Sequence, residues 1–293
     1  MRRVMTAARS GFRRYPRAIL ESLRVPSAHS PRLRFAPDLS RHDFAAVWLG
    51  HGGLWLRLAG LNILVDPVFS DRIGIRIGSR TIGLPRLAPP PLHPHQLPRP
   101  DLVLITHAHF DHLDKPTLAA LANPDTHVIT ARRTGRLVPR GFGGVTELDW
   151  DRSISLAGCT IDALRVAHWG ARTALDRRRG YNSYVVSAGG RSVLLGGDTA
   201  HTDAFRGLGS LDLAALGIGA YDSWADAHAT PEQVWEMFME SGARRLLPIH
   251  HSTFALGDEH PKEPMRRLLA AAGPQRHRVI RLAPGAVWST PAR

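Results

Sequence analysis

The stretch Thr106-His107-Ala108-His109-Phe110-Asp111-His112-Leu113-Asp114 places three histidines and two aspartates within nine residues. Imidazole nitrogens and carboxylate oxygens are ligands for zinc and similar divalent ions. A turn at the end of a strand can point alternate side chains into one cleft. His107 and His109 can then share one ion while Asp111 and His112 face a second. Core packing does not produce such a density of ligand-type residues. Two ions need more ligands than one loop supplies, and the later chain offers His168, Asp198 and His250. Each follows a stretch that reads as a strand, and Gly196-Gly197 before Asp198 lets backbone crowd a site. Strand ends are where the active sites of layered α/β proteins gather.

The elements that must position these residues can be read from apolar runs. Ala45 to Leu49, Leu54 to Leu58 and Asn62 to Val65 are short runs parted by glycines and predict a meander. Leu102 to Thr106 predicts a buried strand, followed by a short helix over Pro116 to Leu121. Further strands are expected over His127 to Thr130, Thr160 to Val166, Ser183 to Ser187, Ser192 to Leu195, Leu213 to Ile218, Arg245 to Ile249 and His277 to Leu282. Thr230-Pro231-Glu232-Gln233 predicts a capped helix start. Residues 67 to 100 read as a long Pro/Gly-rich connection. Within it, Ile73, Ile75, Ile77, Ile82, Leu84 and Leu87 interleave with Arg72, Arg76, Arg80 and Arg86. Two readings stay open: a cationic, apolar flap suited to an amphiphilic anionic substrate or lipid interface, or a loop whose isoleucines pack on the body.

The composition narrows the function classes. The 293 residues carry a formal net charge of +13, which resembles a nucleic-acid signal. Yet Lys115 and Lys262 are the only lysines, and nine arginines face one acid, Glu21, in residues 1 to 34. The excess therefore sits largely in the N-terminal segment, and no nucleic-acid partner is expected. We divide the chain into a basic arm over 1–35 and a main domain over 36–293. The arm reads as an interfacial helix, a targeting peptide or a solvated tail. One cysteine, Cys159, excludes a disulfide within the chain. The longest apolar runs fall short of the ~20 residues of a membrane span. A cytoplasmic location is expected, with peripheral contact at an anionic membrane surface and a homodimer both admitted.

His107-Ala108-His109-Phe110-Asp111-His112 resembles the HxHxDH signature of the metallo-β-lactamase superfamily, and His168, Asp198 and His250 match its remaining metal positions. The words Trp48-Leu49-Gly50-His51, Asp66-Pro67-Val68-Phe69-Ser70, Gly197-Asp198-Thr199, Ile218-Gly219-Ala220-Tyr221 and Ile249-His250-His251-Ser252-Thr253-Phe254-Ala255-Leu256 are similar to the branch containing N-acylphosphatidylethanolamine-hydrolysing phospholipase D. The resemblance spans roughly residues 44 to 270. It implies an α/β, four-layered αββα sandwich with two zinc ions at one edge, iron or manganese being substitutes, and no organic cofactor. His107, His109 and His168 would hold the first ion, Asp111, His112 and His250 the second, and Asp198 both. Asp111 would also orient the nucleophile, a metal-bridging hydroxide.

The resemblance further implies a phosphodiesterase acting on a lipid-like or other organic phosphodiester, with a lactonase or amide hydrolase as the alternative. The stretch between Asp198 and His250 is too short for the inserted domain of many nuclease relatives. His109 stands where diiron oxidoreductases of the superfamily usually carry glutamate. By the same resemblance His228, just before the capped helix, contacts substrate or assists the leaving group; the alternative is a loop histidine without a role. His51 reads equally as a residue orienting a ligand or as a turn residue. His93 and His95 read as solvated loop, and His201 and His251 are set aside. The segment from Tyr221 to His228 is a few residues shorter than in the lipid-cleaving relatives, and His251 stands where they often carry tryptophan.

Overall fold

The computed structural model describes residues 33–78, 80–173, 176 and 178–290. The expected helical stripe of the basic arm lies outside the described residues. Strands β1 (Phe44–Gly50), β2 (Gly53–Leu58) and β3 (Leu61–Val65) form the expected meander. A separate hairpin follows, β4 (Arg72–Ile77) and β5 (Arg80–Pro85). Next come β6 (Leu102–Ile105), helix α1 (Lys115–Leu121), β7 (His127–Ala131), β8 (Gly144–Leu148), β9 (Arg152–Leu156) and β10 (Cys159–Leu164). The remaining elements are β11 (Ser183–Ala188), β12 (Arg191–Leu195), β13 (Leu213–Gly217), α2 (Tyr221–Trp224), α3 (Pro231–Ser241), β14 (Arg245–Ile249), α4 (Glu263–Ala272) and β15 (Val287–Ser289).

Two large sheets result. One is ordered β15-β1-β2-β3-β6-β7-β8 and the other β14-β13-β12-β11-β10-β9. Strand alternation sorts the side chains into layers, because successive residues face opposite sides of a sheet. In β1, Phe44, Ala46 and Trp48 enter the core between the sheets, together with Val193 and Leu195 of β12. Ala45, Val47 and Leu49 face the other way and pack with Leu118 and Leu121 of α1. On the far side of the second sheet, Leu194 and Leu216 pack against Val234 and Phe238 of α3 and Leu268 of α4. The layers are therefore α-β-β-α, as expected.

Helix α3 starts as its sequence dictates. Thr230 Oγ1 accepts from the Gln233 amide at 3.3 Å, and the Thr230 amide donates to Gln233 Oε1 at 3.0 Å. This reciprocal pair satisfies two otherwise unpaired donors. Two expectations need correction. Residues 67 to 100 are not one long loop, since β4 and β5 pair over six residues each. Glycines at 74 and 83 face each other in that hairpin, and a Cβ at Gly74 would meet the Ile82 carbonyl oxygen at 2.1 Å. Residues 277 to 282 do not form a strand either. A 3-10 helix, Gly273–Arg278, occupies the start, and the contact with β14 is a single bridge from Val279 to Leu246. Strands β8, β9 and β15 were not anticipated from sequence.

Candidate metal centre

Strand direction brings the ligand-type residues together. Strands β3 and β6 are parallel, as are β12, β13 and β14. Their C-terminal ends meet at one edge of the sandwich. His107 to His112 follow β6, Asp198 follows β12 and His250 follows β14; His168 lies beyond β10, which runs the same way as β12 through two antiparallel pairings. The backbone must bend sharply to crowd them. His250 adopts φ 58, a left-handed conformation costly for a side-chain-bearing residue. A Cβ at Gly219 would meet the His250 carbonyl oxygen at 2.2 Å, so only glycine permits that approach.

All seven expected ligands and His228 converge. In the first half, His107 Nε2 lies 2.8 Å from His109 Nδ1, and His168 Nε2 lies 3.4 Å from the same atom. Asp198 Oδ2 is 3.7 Å from His107 Nε2 and 3.8 Å from His168 Nε2. In the second half, His112 Nε2 is 3.1 Å and His250 Nε2 3.2 Å from the Asp198 carboxylate. Asp111 Oδ2 stands 3.6 Å from His112 Nε2 and 3.4 Å from His250 Nε2. Asp198 thus belongs to both halves. His228 Nε2 is 3.9 Å from Asp198 Oδ2, and its side chain is 12% exposed, much as that of Asp111 is at 11%.

The surrounding hydrogen bonds free particular nitrogens. Asp66 accepts from the Thr106 amide at 2.8 Å and from Thr106 Oγ1 at 2.6 Å. With that hydroxyl proton committed, His107 Nδ1–H donates to Thr106 Oγ1 at 2.9 Å, and the His107 Nε2 lone pair turns inward. His112 Nδ1 donates to Asp66 Oδ2 at 2.7 Å, and His168 Nδ1 to the Ala227 carbonyl at 3.1 Å. Both Nε2 lone pairs are left free in the same way. Partners of this kind fix the tautomer and orientation of metal-binding histidines.

Buried His112 Nε2, His250 Nε2 and Asp198 Oδ1 make no hydrogen bond of acceptable geometry despite their proximity. Converging imidazole lone pairs, carboxylate oxygens and unsatisfied buried atoms fit a pair of divalent ions. The residues form groups able to hold a metal: His107, His109, His168 and Asp198 in one, and Asp111, His112 and His250 with His51 in another.

The electrostatics agree with this division. Burial, reinforced by neighbouring histidines, holds the His107 pKa well below its ordinary value. Burial likewise lowers His168 well below, and His109 and His228 to about 4. These rings stay neutral near pH 7, the form that binds metal. In the second half, burial opposes charge on His112, but Asp198, Asp66 and Asp111 outweigh it and raise its pKa well above the ordinary value. The carboxylates raise His250 to about 9 against its burial. Burial also opposes ionisation of Asp111 and Asp198, yet the adjacent histidines hold both well below the ordinary carboxylate range. This half demands positive charge, which protons or divalent ions can supply.

His51 sits in the turn after β1, at φ 53, and also touches an expected ligand. Its ring is buried, at 1% exposure, and its Nε2 lies 2.8 Å from Asp111 Oδ2. Its backbone carbonyl accepts from the His250 amide at 2.9 Å and from Trp48 Nε1 at 2.8 Å. One residue therefore contacts expected ligands from both sheets. His93 and His95 are exposed, and His201 pairs with Glu236 at 3.4 Å away from the cluster. His251 stacks on Trp48 at 4.7 Å.

Two contributors escaped sequence reasoning altogether, and a third, Asp66, was read only within the Asp66-Pro67-Val68-Phe69-Ser70 motif. Asp66 anchors His112; its signal was an acid at the end of an apolar strand. Trp169 stacks on His168 at 4.7 Å and lies 6.1 Å from Trp224, forming an aromatic wall. Arg172 donates to the carbonyls of Ala108 at 2.9 Å and Leu113 at 2.8 Å, clamping the histidine loop. No local pattern marks that arginine.

The β-lactamase superfamily domain model matches residues 61–251. An uncharacterized protein of Mycobacterium tuberculosis is 34% identical over 272 residues, covering 85% of this chain and 70% of its own length. N-acyl-phosphatidylethanolamine-hydrolyzing phospholipase D 1 of Caenorhabditis elegans is 29% identical over 257 residues, covering 79% of this chain and 71% of its own. The isothiocyanate hydrolase from Delia radicum gut bacteria shares the fold at a TM-score of 0.66 and 18% identity, over 85% of this chain and all of that one. The ligand-bearing strand ends, the four layers and these similarities have one explanation: the chain belongs to the metallo-β-lactamase superfamily of metal-dependent hydrolases.

Proposed function

We propose that the chain is a binuclear zinc hydrolase that cleaves a lipid-like or other organic phosphodiester. The observation that carries the binuclear reading is Asp198, whose carboxylate lies within 3.9 Å of ring nitrogens from both halves of the cluster and of His228. Its position suits a bridging ligand. Bound divalent ions would lower the pKa of a shared water and polarise the oxygens of the group being cut. His107, His109 and His168 would hold one ion and Asp111, His112 and His250 the other.

The phosphodiester reading draws on the relative in Caenorhabditis elegans, named for hydrolysis of an N-acylated phospholipid. Phe110, with Arg172 over its ring at 4.1 Å, and the Trp169–Trp224 wall give apolar surface for an organic substituent. Asp111, oriented by His51, offers a carboxylate oxygen to align the attacking water. His228, partly exposed beside Asp198, would contact a substrate oxygen or assist the leaving group.

Zinc-loaded protein assayed on a chromogenic phosphodiester, a lactone and an amide tests this. Elemental analysis should find close to two ions per chain, and phosphodiester turnover should exceed the other two. One ion or none refutes the binuclear reading; lactone or amide preference refutes the phosphodiester reading while leaving the metal centre standing. His228→Ala should retain both ions and lose roughly 100-fold in kcat, within the range for a positioned proton-transfer group.

A further inference from the structure

Two turns beside the cluster use backbone conformations that side chains resist. His51, between β1 and β2, sits at φ 53, while His250 and Ser252, just after β14, sit at φ 58 and φ 54. Left-handed values are uncommon outside glycine and persist only where surrounding contacts over-determine them. The two turns come from different sheets, since β1 belongs to one and β14 to the other. Contacts between them therefore tie the sheets together at the metal edge.

Thr253 supplies the tie. It is buried, and its Oγ1 accepts from the His51 amide at 2.7 Å and donates to the His251 carbonyl at 3.1 Å. A return contact runs from the His250 amide to the His51 carbonyl at 2.9 Å. One hydroxyl thus joins the turn of the first sheet to the loop of the second across 202 residues. The rings follow the backbone. His51 and His250 lie 4.0 Å apart between centroids, and His51 Nε2 lies 2.8 Å from Asp111 Oδ2. Without the hydroxyl, the His51 amide would lose its partner, a costly change for a buried donor, and the left-handed turn would lose a contact that holds it. The other half of the cluster does not depend on this tie, because Thr106 and the Ala227 carbonyl orient His107 and His168.

We propose that Thr253 is a positioning residue of the metal centre: by locking the His51 turn to the His250 turn, its hydroxyl fixes the placement of Asp111 and His250 and governs the affinity of one of the two ions. The inference rests on the two-ion reading above and adds to it a residue outside the ligand set. Thr253→Val keeps the shape of the side chain and removes the hydroxyl, whereas Thr253→Ser keeps the hydroxyl. Zinc binding to the metal-free full chain, read by competition with a chromophoric chelator, should show two steps in the parent. Thr253→Val should weaken one step by about 10–100-fold, the range for partners one contact removed from a metal, and leave the other nearly unchanged. Thr253→Ser should bind both ions almost as the parent does. Two unchanged steps in Thr253→Val, with only a lower denaturant midpoint, would overturn the proposal and leave Thr253 a packing residue. Equal weakening of both steps would overturn it as well, since the whole edge would then have loosened. So would a serine variant as weak as the valine one. If Thr253→Val does not fold, Thr253→Cys takes its place, because a thiol is a weak acceptor; one weakened step supports the proposal and parental binding overturns it. A parent protein with a single binding step refutes the two-ion reading instead. Thr253 is then judged on that step: weakening by valine and not by serine supports its role, and any other pattern overturns it.

Discussion

The metal cluster and the β4–β5 hairpin both leave the ends of strands, yet they are held in opposite ways. The cluster is pinned from several directions at once. Asp66 grips His112, His51 grips Asp111, Thr106 grips His107, and Arg172 clamps the loop that carries them. The hairpin is held through its base, where Ile73 and Leu84 sit on Phe254, and by Arg86, which donates to the Val68 carbonyl at 2.8 Å. Its tip leaves isoleucines exposed. Buried polar groups must be satisfied or they destabilise the fold, so a cluster of histidines and aspartates survives burial only inside a dense network. An exposed apolar tip carries no such demand. The contrast separates a region of fixed geometry from one that leaves two isoleucines exposed.

The largest expected effect tests the network. Asp198→Asn should remove the negative charge shared by both halves and cut turnover by at least about 1,000-fold, roughly 4 kcal/mol in barrier height. Elemental analysis should show fewer than two ions retained after dialysis. Full occupancy with near-normal turnover would break the view that Asp198 serves both halves.

Packing at the hairpin base gives the next effect. Leu84→Ala should destabilise the chain by about 2–4 kcal/mol, as buried leucine truncations do, whereas Ile77→Ser should fall within about 0.5 kcal/mol. Denaturant unfolding monitored by circular dichroism measures both. Similar losses would mean that tip and base are equally packed, and the comparison would fail.

Orientation of Asp111 should matter less than the ligand itself. His51→Ala is expected to weaken binding of one of the two ions by about 10–100-fold, read by competition with a chromophoric chelator. His51→Gln, which can still donate to Asp111, should recover part of the loss. If both substitutions behave alike, His51 acts through packing or its backbone rather than through the Nε2 contact.

The smallest effect belongs to neither region and sets a baseline. Arg267 holds Glu232 of α3 at 2.7 Å and lowers its pKa to about 2. The folded value lies below the ~4.3 of an unfolded chain. The pair therefore contributes above that pH, and its contribution fades as pH falls through 4 towards 2. Both side chains are substantially exposed, at 31% and 48%, so Glu232→Gln should cost under about 1 kcal/mol at pH 7 and nothing near pH 2. A larger cost would show that surface pairs here rival the buried network.

Much of this organisation was legible before folding. The histidine-aspartate loop, the three later ligands and the strands before them are local patterns, because side-chain alternation and ligand spacing are written in consecutive residues. The cap of α3 was legible for the same reason. The hairpin was hidden because its glycines and prolines read as loop, while its pairing depends on a close glycine–glycine approach. Strand β15 was hidden because its three residues gain their partner, β1, only when the far end of the chain returns.

Sequence by itself determined which residues could bind metal and at which strand ends they stand. Tertiary structure decided how they work together. His51 meets Asp111 across 60 residues, Asp66 meets His112 across 46, and Arg172 reaches Leu113 across 59. It also divided one run of isoleucines into a buried base and an exposed tip. Contacts at such separations depend on how two sheets stack and where their edges meet, and no period of two or 3.6 residues records that arrangement.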